Sequence, residues 1–178
     1  MDKHDLSGIR VLLVGMRGHG AQILRTVMTA AGISRVVGVE ETLPALEMLC
    51  GESFDAVLVE GLLQHDGVPF AIAARRTEAL MNPMIPIFVV YSSARRRDVE
   101  KARDLGTTDI LCRPISPKTL TDKLRAALLK PRPFIVAPDF FGPERRARAK
   151  AGFFGKDRRT RSARKAKVHF AENPLERQ

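Results

Sequence analysis

Short apolar runs alternate with helix-period stretches along residues 9–130. Residues 9–14 (IRVLLV) are almost all Leu and β-branched side chains, the pattern of a strand buried on both faces. Similar runs cover residues 36–39, 54–59 (FDAVLV), 85–91 (IPIFVVY) and 109–112 (DILC). Between them, apolar positions recur at helical spacing. Ile23, Leu24, Val27 and Met28 share one stripe of a helix over 21–31, closed by Gly32. Leu43, Leu46 and Leu49 mark a second helix that Thr42 is placed to cap. Residues 69–80 predict an Ala-rich helix, and residues 97–105 a short charged one ended by Gly106. Ser116 and Pro117 open the last helix, with Leu120, Leu124 and Leu128 inward. Parallel strands need crossovers and helices supply them, so this alternation predicts an α/β fold with a five-stranded, doubly wound parallel sheet. A closed barrel of eight such units takes about 250 residues, beyond what residues 9–130 offer.

Charge divides the chain. Residues 1–130 hold 17 basic and 15 acidic residues, whereas residues 131–178 hold 13 and 5. The organisation read from this is a short lead over 1–8, a nearly neutral domain over 9–130, and a basic tail over 131–178. The 44% of hydrophobic residues supports a core in the domain. Two cysteines exclude a disulfide framework, and Cys50 and Cys112 read as small buried apolar groups. No apolar run approaches the roughly 18 residues that span a bilayer, and Asp2, His4 and Asp5 stand where a signal peptide would be basic. A soluble, cytoplasmic protein is expected.

In an open parallel sheet, ligands meet the loops that follow the strands' carboxyl ends. Gly15, Gly18 and Gly20 follow the first strand, and Glu40 ends the second. Glycines that admit a pyrophosphate, with an acid for a ribose hydroxyl, are the ingredients of dinucleotide binding. The spacing is G-x-x-G-x-G, however, and tight turns need glycine in any case. His4, His19 and His65 show no metal-ligand spacing.

Another set of residues covers more of the chain. Residues 106–117 (GTTDILCRPISP), followed by Leu120, resemble the last strand and helix entry of bacterial response-regulator receiver domains. Residues 54–60 (FDAVLVE) are similar to the receiver strand that ends in the phosphoacceptor aspartate, and His65-Asp66-Gly67 to the turn after it. Residues 85–90 (IPIFVV) resemble the fourth receiver strand. The resemblance implies a CheY-like fold for residues 9–130 and a role in two-component signalling or a phosphorelay. It also implies a degenerate member. Gly15 and Met16 fall where receivers carry the acidic pair that holds magnesium, and Glu60 falls at the phosphoacceptor position. Arg113 matches the lysine that contacts the phosphoryl group, Tyr91 or Ser92 the switch hydroxyl, and Ile110 the fifth-strand aromatic. Phosphotransfer depends on positioning and on metal, so these changes predict a pseudo-receiver acting by protein–protein contact, with no catalytic residue, metal or cofactor. A planar guanidinium takes a carboxylate through two bonds, so Glu60 and Arg113 are expected to meet and hold one state; two independently solvated rim residues are the alternative.

Two surfaces remain. Arg95, Arg96 and Arg97 start the fourth helix, where cations oppose the dipole, and the resemblance suggests an interaction face there. Pro131 and Pro133 end the domain, and the tail beyond is read as largely disordered. It repeats F-F-G-x-[E/D]-R-R-x-R: Phe140, Phe141, Arg145 and Arg146 in one copy, Phe153, Phe154, Arg158 and Arg159 in the next. The phenylalanines can dock back on the domain or enter a protein groove twice. With the arginines they can instead meet nucleic acid or an anionic membrane surface. A protein partner in a signalling pathway is the favoured reading, a nucleic-acid-associated regulator the first alternative and dinucleotide binding the second. The resemblance also allows a homodimer.

Overall fold

The computed structural model describes residues 6–144 and 164–166. Its centre is a five-stranded parallel sheet of β1 (Arg10–Val14), β2 (Arg35–Val39), β3 (Ala56–Glu60), β4 (Ile87–Tyr91) and β5 (Asp109–Cys112). The spatial order is β2-β1-β3-β4-β5, so the chain reverses direction across the sheet between β1 and β3. The crossovers are α1 (Gly18–Ala30), α2 (Thr42–Gly51), α3 (Phe70–Arg76) and α4 (Arg96–Asp104), and α5 (Pro117–Leu129) follows the last strand.

Alternate residues of each central strand face opposite layers. Val11, Leu13, Ala56, Leu58, Phe88 and Val90 pack with Leu24 and Met28 of α1 and Leu120, Leu124 and Leu128 of α5. Leu12, Val14, Val57, Val59, Ile87 and Val89 pack with Ala45, Leu46 and Leu49 of α2, with Phe70, Ala71 and Ala74 of α3 and with Ala102 of α4. Covering both faces explains why these strands read as continuous apolar runs rather than alternating ones.

Helix ends depart from expectation in several places; α1, for one, opens at Gly18 rather than at residue 21. Ser116 caps α5 by accepting from the Thr119 N–H at 3.1 Å, with Pro117 in the first turn. Thr42, expected to cap α2, is instead its first residue and buried; Glu41 stands at the cap. Helix α3 ends at Arg76, short of residue 80, where the Leu80 N–H turns back to the Thr77 carbonyl.

The cysteines are less enclosed than expected. Cys50 is half-buried and Cys112 exposed. Cys112 closes β5, an edge strand, where the alternating pleat points it away from the buried Leu111.

The chain after Lys130 differs more. Residues 134–143 form a hairpin, β6 (Phe134–Ala137) and β7 (Phe140–Pro143), with Arg164–Ala166 paired antiparallel to β6 as β8. An apolar run, Phe134-Ile135-Val136, bounded by Pro133 and Pro138 has the composition of a strand, and it finds a surface to cover. Phe134 is buried, with its ring 5.4 Å from that of Phe141. Arg132 donates to the carbonyls of Thr108 and Glu144, and the Glu144 N–H to that of Pro133 at 2.8 Å. The hairpin thus lies on the domain, beyond residue 130 where the sequence marks a boundary.

Candidate functional site

The carboxyl ends of β1, β3, β4 and β5 gather the residues singled out from the sequence. Glu60 ends β3, and Arg113 follows β5, held by its N–H to the Tyr91 carbonyl at 2.9 Å. The two side chains meet: both terminal nitrogens of Arg113 donate to the two carboxylate oxygens of Glu60, each at 2.6 Å. Two parallel charge-assisted bonds in a rigid fork fix orientation as well as distance. The bond to Glu60 raises the Arg113 pKa above its ordinary value, against the opposing effect of desolvation.

The Gly-rich turn is shaped around this pair. The first turn of α1 lies beside the guanidinium, where a Cβ on Gly20 would stand 3.7 Å from an Arg113 nitrogen, an ordinary contact distance. Gly15 has φ +77°, and a Cβ there would come within 2.9 Å of Leu63 and 3.5 Å of the Glu60 Cβ. Leu63 is held by the loop after β3. Gln64–His65 and Val68–Pro69 form a two-residue ladder whose central residues, Asp66 and Gly67, both have positive φ. Asp-Gly suits such a turn, and the Phe70 N–H closes it on the Leu63 carbonyl at 2.8 Å. Leu62 and Leu63 thereby pack against the α2–α3 core layer.

These residues do not fit magnesium. Gly15 brings no donor, and Met16 is buried among apolar side chains on the α1–α5 face. Glu60 already accepts two bonds from Arg113, and among the described residues no three His, Cys, Asp or Glu cluster as metal ligands. A hard divalent cation needs several oxygens in near-octahedral array. Nor do they form a dinucleotide cradle, since Leu63 fills the space beside Gly15, Arg113 lies against Gly20, and Glu40 pairs with Arg17 at 3.0 Å.

Of the remaining positions, Tyr91 and Ile110 are half-buried and pack on the α2–α4 core layer, while Ser92 is exposed. The Tyr91 hydroxyl is buried with no hydrogen-bond partner among the described residues. Desolvation raises its pKa, and the charges of Asp98 and Cys112 add to the shift. Arg95, Arg96 and Arg97 are exposed, as expected of a surface. Local acids temper part of this charge: Glu100 takes Arg96 at 2.9 Å and Asp98 lies 3.9 Å from Arg97, while Asp98 also accepts the Arg95 backbone N–H at 2.8 Å. Phe140 and Phe141 lie in β7, on the domain; Arg145, Arg146, Phe153, Phe154, Arg158 and Arg159 lie outside the described residues.

Two residues escaped the sequence reading. Leu63 was hidden in a loop, though the Leu62-Leu63 pair is an apolar signal there. Arg75 is 6% exposed and stands on the buried stripe of α3 with Ala71 and Ala74. It donates to the carbonyls of Pro83 at 2.6 Å and Ile85 at 2.7 Å, under the ring of Phe134 at 5.0 Å. Burial pushes its pKa down to about 9, which leaves it charged at neutral pH.

A five-stranded parallel sheet in the order 2-1-3-4-5, covered by helices on both faces, is the fold of CheY-like receiver domains. No protein-family model matches the chain. It is 27% identical over 129 residues to the response regulator PleD of Caulobacter vibrioides; the alignment covers 72% of this chain and 27% of PleD. Among solved structures, it resembles the receiver domain of the sensor histidine kinase PA1611 from Pseudomonas aeruginosa. The TM-score is 0.56 at 24% identity, covering 66% of this chain and 95% of that one. The chemotaxis protein CheY4 of Vibrio cholerae gives 0.56 at 20% identity, covering 67% and 98%. The PA1611 domain carries a magnesium ion in its active-site cleft. Among the described residues of this chain, no helix is long and apolar enough to cross a membrane.

Proposed function

We propose that this receiver-type domain transmits a signal by protein–protein contact in one fixed conformation, with no phosphoryl group entering the cycle. The observation that carries the reading is the Glu60–Arg113 pair. An arginine occupies, with both nitrogens, the carboxylate that a phosphoryl donor would have to reach. Leu63 against Gly15 supports the same reading, because it puts methyl groups where metal ligands and their water would stand. Phosphoryl transfer needs in-line access and neutralisation of charge, and this arrangement supplies neither.

The partner is a protein that reads the exposed face of α4, where Arg95, Arg96 and Arg97 stand beside Val99, 44% exposed. Adding beryllofluoride and magnesium to the full chain, with backbone amide resonances as the readout, tests the first part. Unchanged resonances at residues 60–63 and 91–93 are expected; saturable shifts there overturn the reading. Charge reversal at Arg95–Arg97 tests the second, through loss of a partner captured by the wild-type chain.

A second reading rests on the basic excess after residue 130, 13 cations against 5 acids, which favours attachment to nucleic acid. Retention on single-stranded DNA that falls steeply with salt supports it, and retention insensitive to salt opposes it.

A further inference from the structure

We infer that an open groove at the base of the domain is the seat of the chain's own residues 168–172, Val168 and Phe170 entering it and Glu172 meeting Lys130. The groove, of about 340 Å3, lies at the amino-terminal ends of β4 and β5, the end of the sheet opposite Glu60 and Arg113. Its floor is apolar, with Phe88, Ala127, Phe134 and Pro143 all buried. Lys123, Lys130 and Arg132 stand around it against one acid, Asp109, which already pairs with Lys123 at 2.6 Å. Such a groove suits an apolar segment that also carries a carboxylate.

The strand ladder delivers a segment of that kind. β8 runs antiparallel to β6, with Arg164 opposite Val136 and Ala166 opposite Phe134. The chain therefore leaves β8 beside Phe134 and heads back along Pro133 and Arg132 toward Lys130, the side of the groove that the connector forms. Residues 167–178 lie outside the described residues. At about 3.3 Å per residue, an extended chain carries residue 168 roughly 7 Å and residue 170 roughly 13 Å past Ala166. That reach matches the path from Phe134 back to Lys130.

The sequence after β8 keeps the period of a strand with one apolar face. Ala166, Val168 and Phe170 alternate with Lys165, Lys167 and His169. Residues opposite one another in an antiparallel pair share a face of the sheet, so positions 166, 168 and 170 carry the parity of Phe134. The Phe134 ring is turned to the domain, over Arg75, and forms part of the groove floor. A slip of one residue would bring Lys167 and His169 to that floor instead, which fixes the register. Glu172 follows at the same parity and brings its carboxylate to the Lys130 end.

The test uses the full chain, which has no tryptophan of its own. In Phe170→Trp the indole is expected to emit at shorter wavelength than in the same chain unfolded by denaturant, with quenching by acrylamide reduced several-fold. In His169→Trp, on the opposite parity, the indole is expected to emit and quench as an exposed one. Ala126 lines the groove at an exposed position, so Ala126→Glu is tolerated by α5. Added to Phe170→Trp, it is expected to return the indole to solvent, and Lys130→Glu is expected to act in the same direction. Helix content by circular dichroism verifies that each variant is folded. Indoles at 169 and 170 that are equally exposed, or equally shielded, overturn the inference. So does shielding at 170 that survives both Ala126→Glu and Lys130→Glu. Shielding that grows with protein concentration assigns the groove to the segment of a neighbouring copy and overturns it as well.

Discussion

A Leu63 methyl lies 2.9 Å from the place a Cβ on Gly15 would occupy. Bulk and backbone therefore both oppose a side chain at Gly15, whose φ is +77°. Gly15→Asp is expected to destabilise the fold by about 2–4 kcal/mol, part from the left-handed backbone and part from overpacking. Denaturation in urea measures it. Adding Leu63→Ala to Gly15→Asp is expected to recover the steric part only, giving a non-additive pair. Additive effects would show that the contact plays no part. Neither variant is expected to gain magnesium-dependent stabilisation.

The Glu60–Arg113 fork has a measurable coupling. Its side chains are 33% and 27% exposed, so solvent screens part of the attraction, and bidentate geometry restores some of it. A double-mutant cycle with Glu60→Gln and Arg113→Ala is expected to give about 1 kcal/mol of coupling. Arg113→Lys is expected to lose most of that, since an ammonium cannot repeat the planar fork. Zero coupling would return both residues to the status of independently solvated rim groups.

Those two relationships mark what the sequence could and could not disclose. The strands were legible because both faces of the sheet are covered, which leaves no polar alternation to blur the apolar runs. Glu60 and Arg113 were legible because strand ends in a parallel sheet converge. Leu63 was not, because periodicity carries no information about a loop that folds back over a neighbouring turn. Arg75 was obscured for a related reason: a cation on a helix stripe reads as surface until its carbonyl partners, Pro83 and Ile85, arrive from a distant turn. The tail misled through composition. Its net charge masked the Phe134-Ile135-Val136 run, whose neighbours Pro133 and Pro138 delimit a strand as clearly as any in the domain.

Phe134 ties that strand to the domain, and its removal is the most direct test of how much the hairpin contributes. The ring is 3% exposed and covers Arg75. Phe134→Ala is expected to cost about 3–5 kcal/mol in urea denaturation, the range for a fully buried ring. Val136→Ala, two residues along the same strand but 40% exposed, is expected to change stability by less than about 1 kcal/mol. Equal small effects would mean that the hairpin is not closed on the domain in solution.

Tyr91 offers a spectroscopic handle on the site, because the chain has one tyrosine and no tryptophan. Its phenol is desolvated, and Asp98 and Cys112 disfavour the phenolate further, so its pKa lies above the ordinary 10.0. Tyrosinate absorbance in the folded chain is expected to rise at higher pH than in the chain unfolded by denaturant. The sign of the linkage follows. The folded state holds the phenol proton more tightly than the unfolded state, so this contribution to stability is complete below the unfolded pKa. It is lost as pH rises through the folded value. Asp98→Asn removes one of the two charges and is expected to move the folded midpoint back toward the ordinary value. It also takes a carboxylate from the Arg95 N–H, so the start of α4 is expected to fray in the same variant. A midpoint equal to that of the unfolded chain would place the Tyr91 hydroxyl in water, outside the α2–α4 core layer.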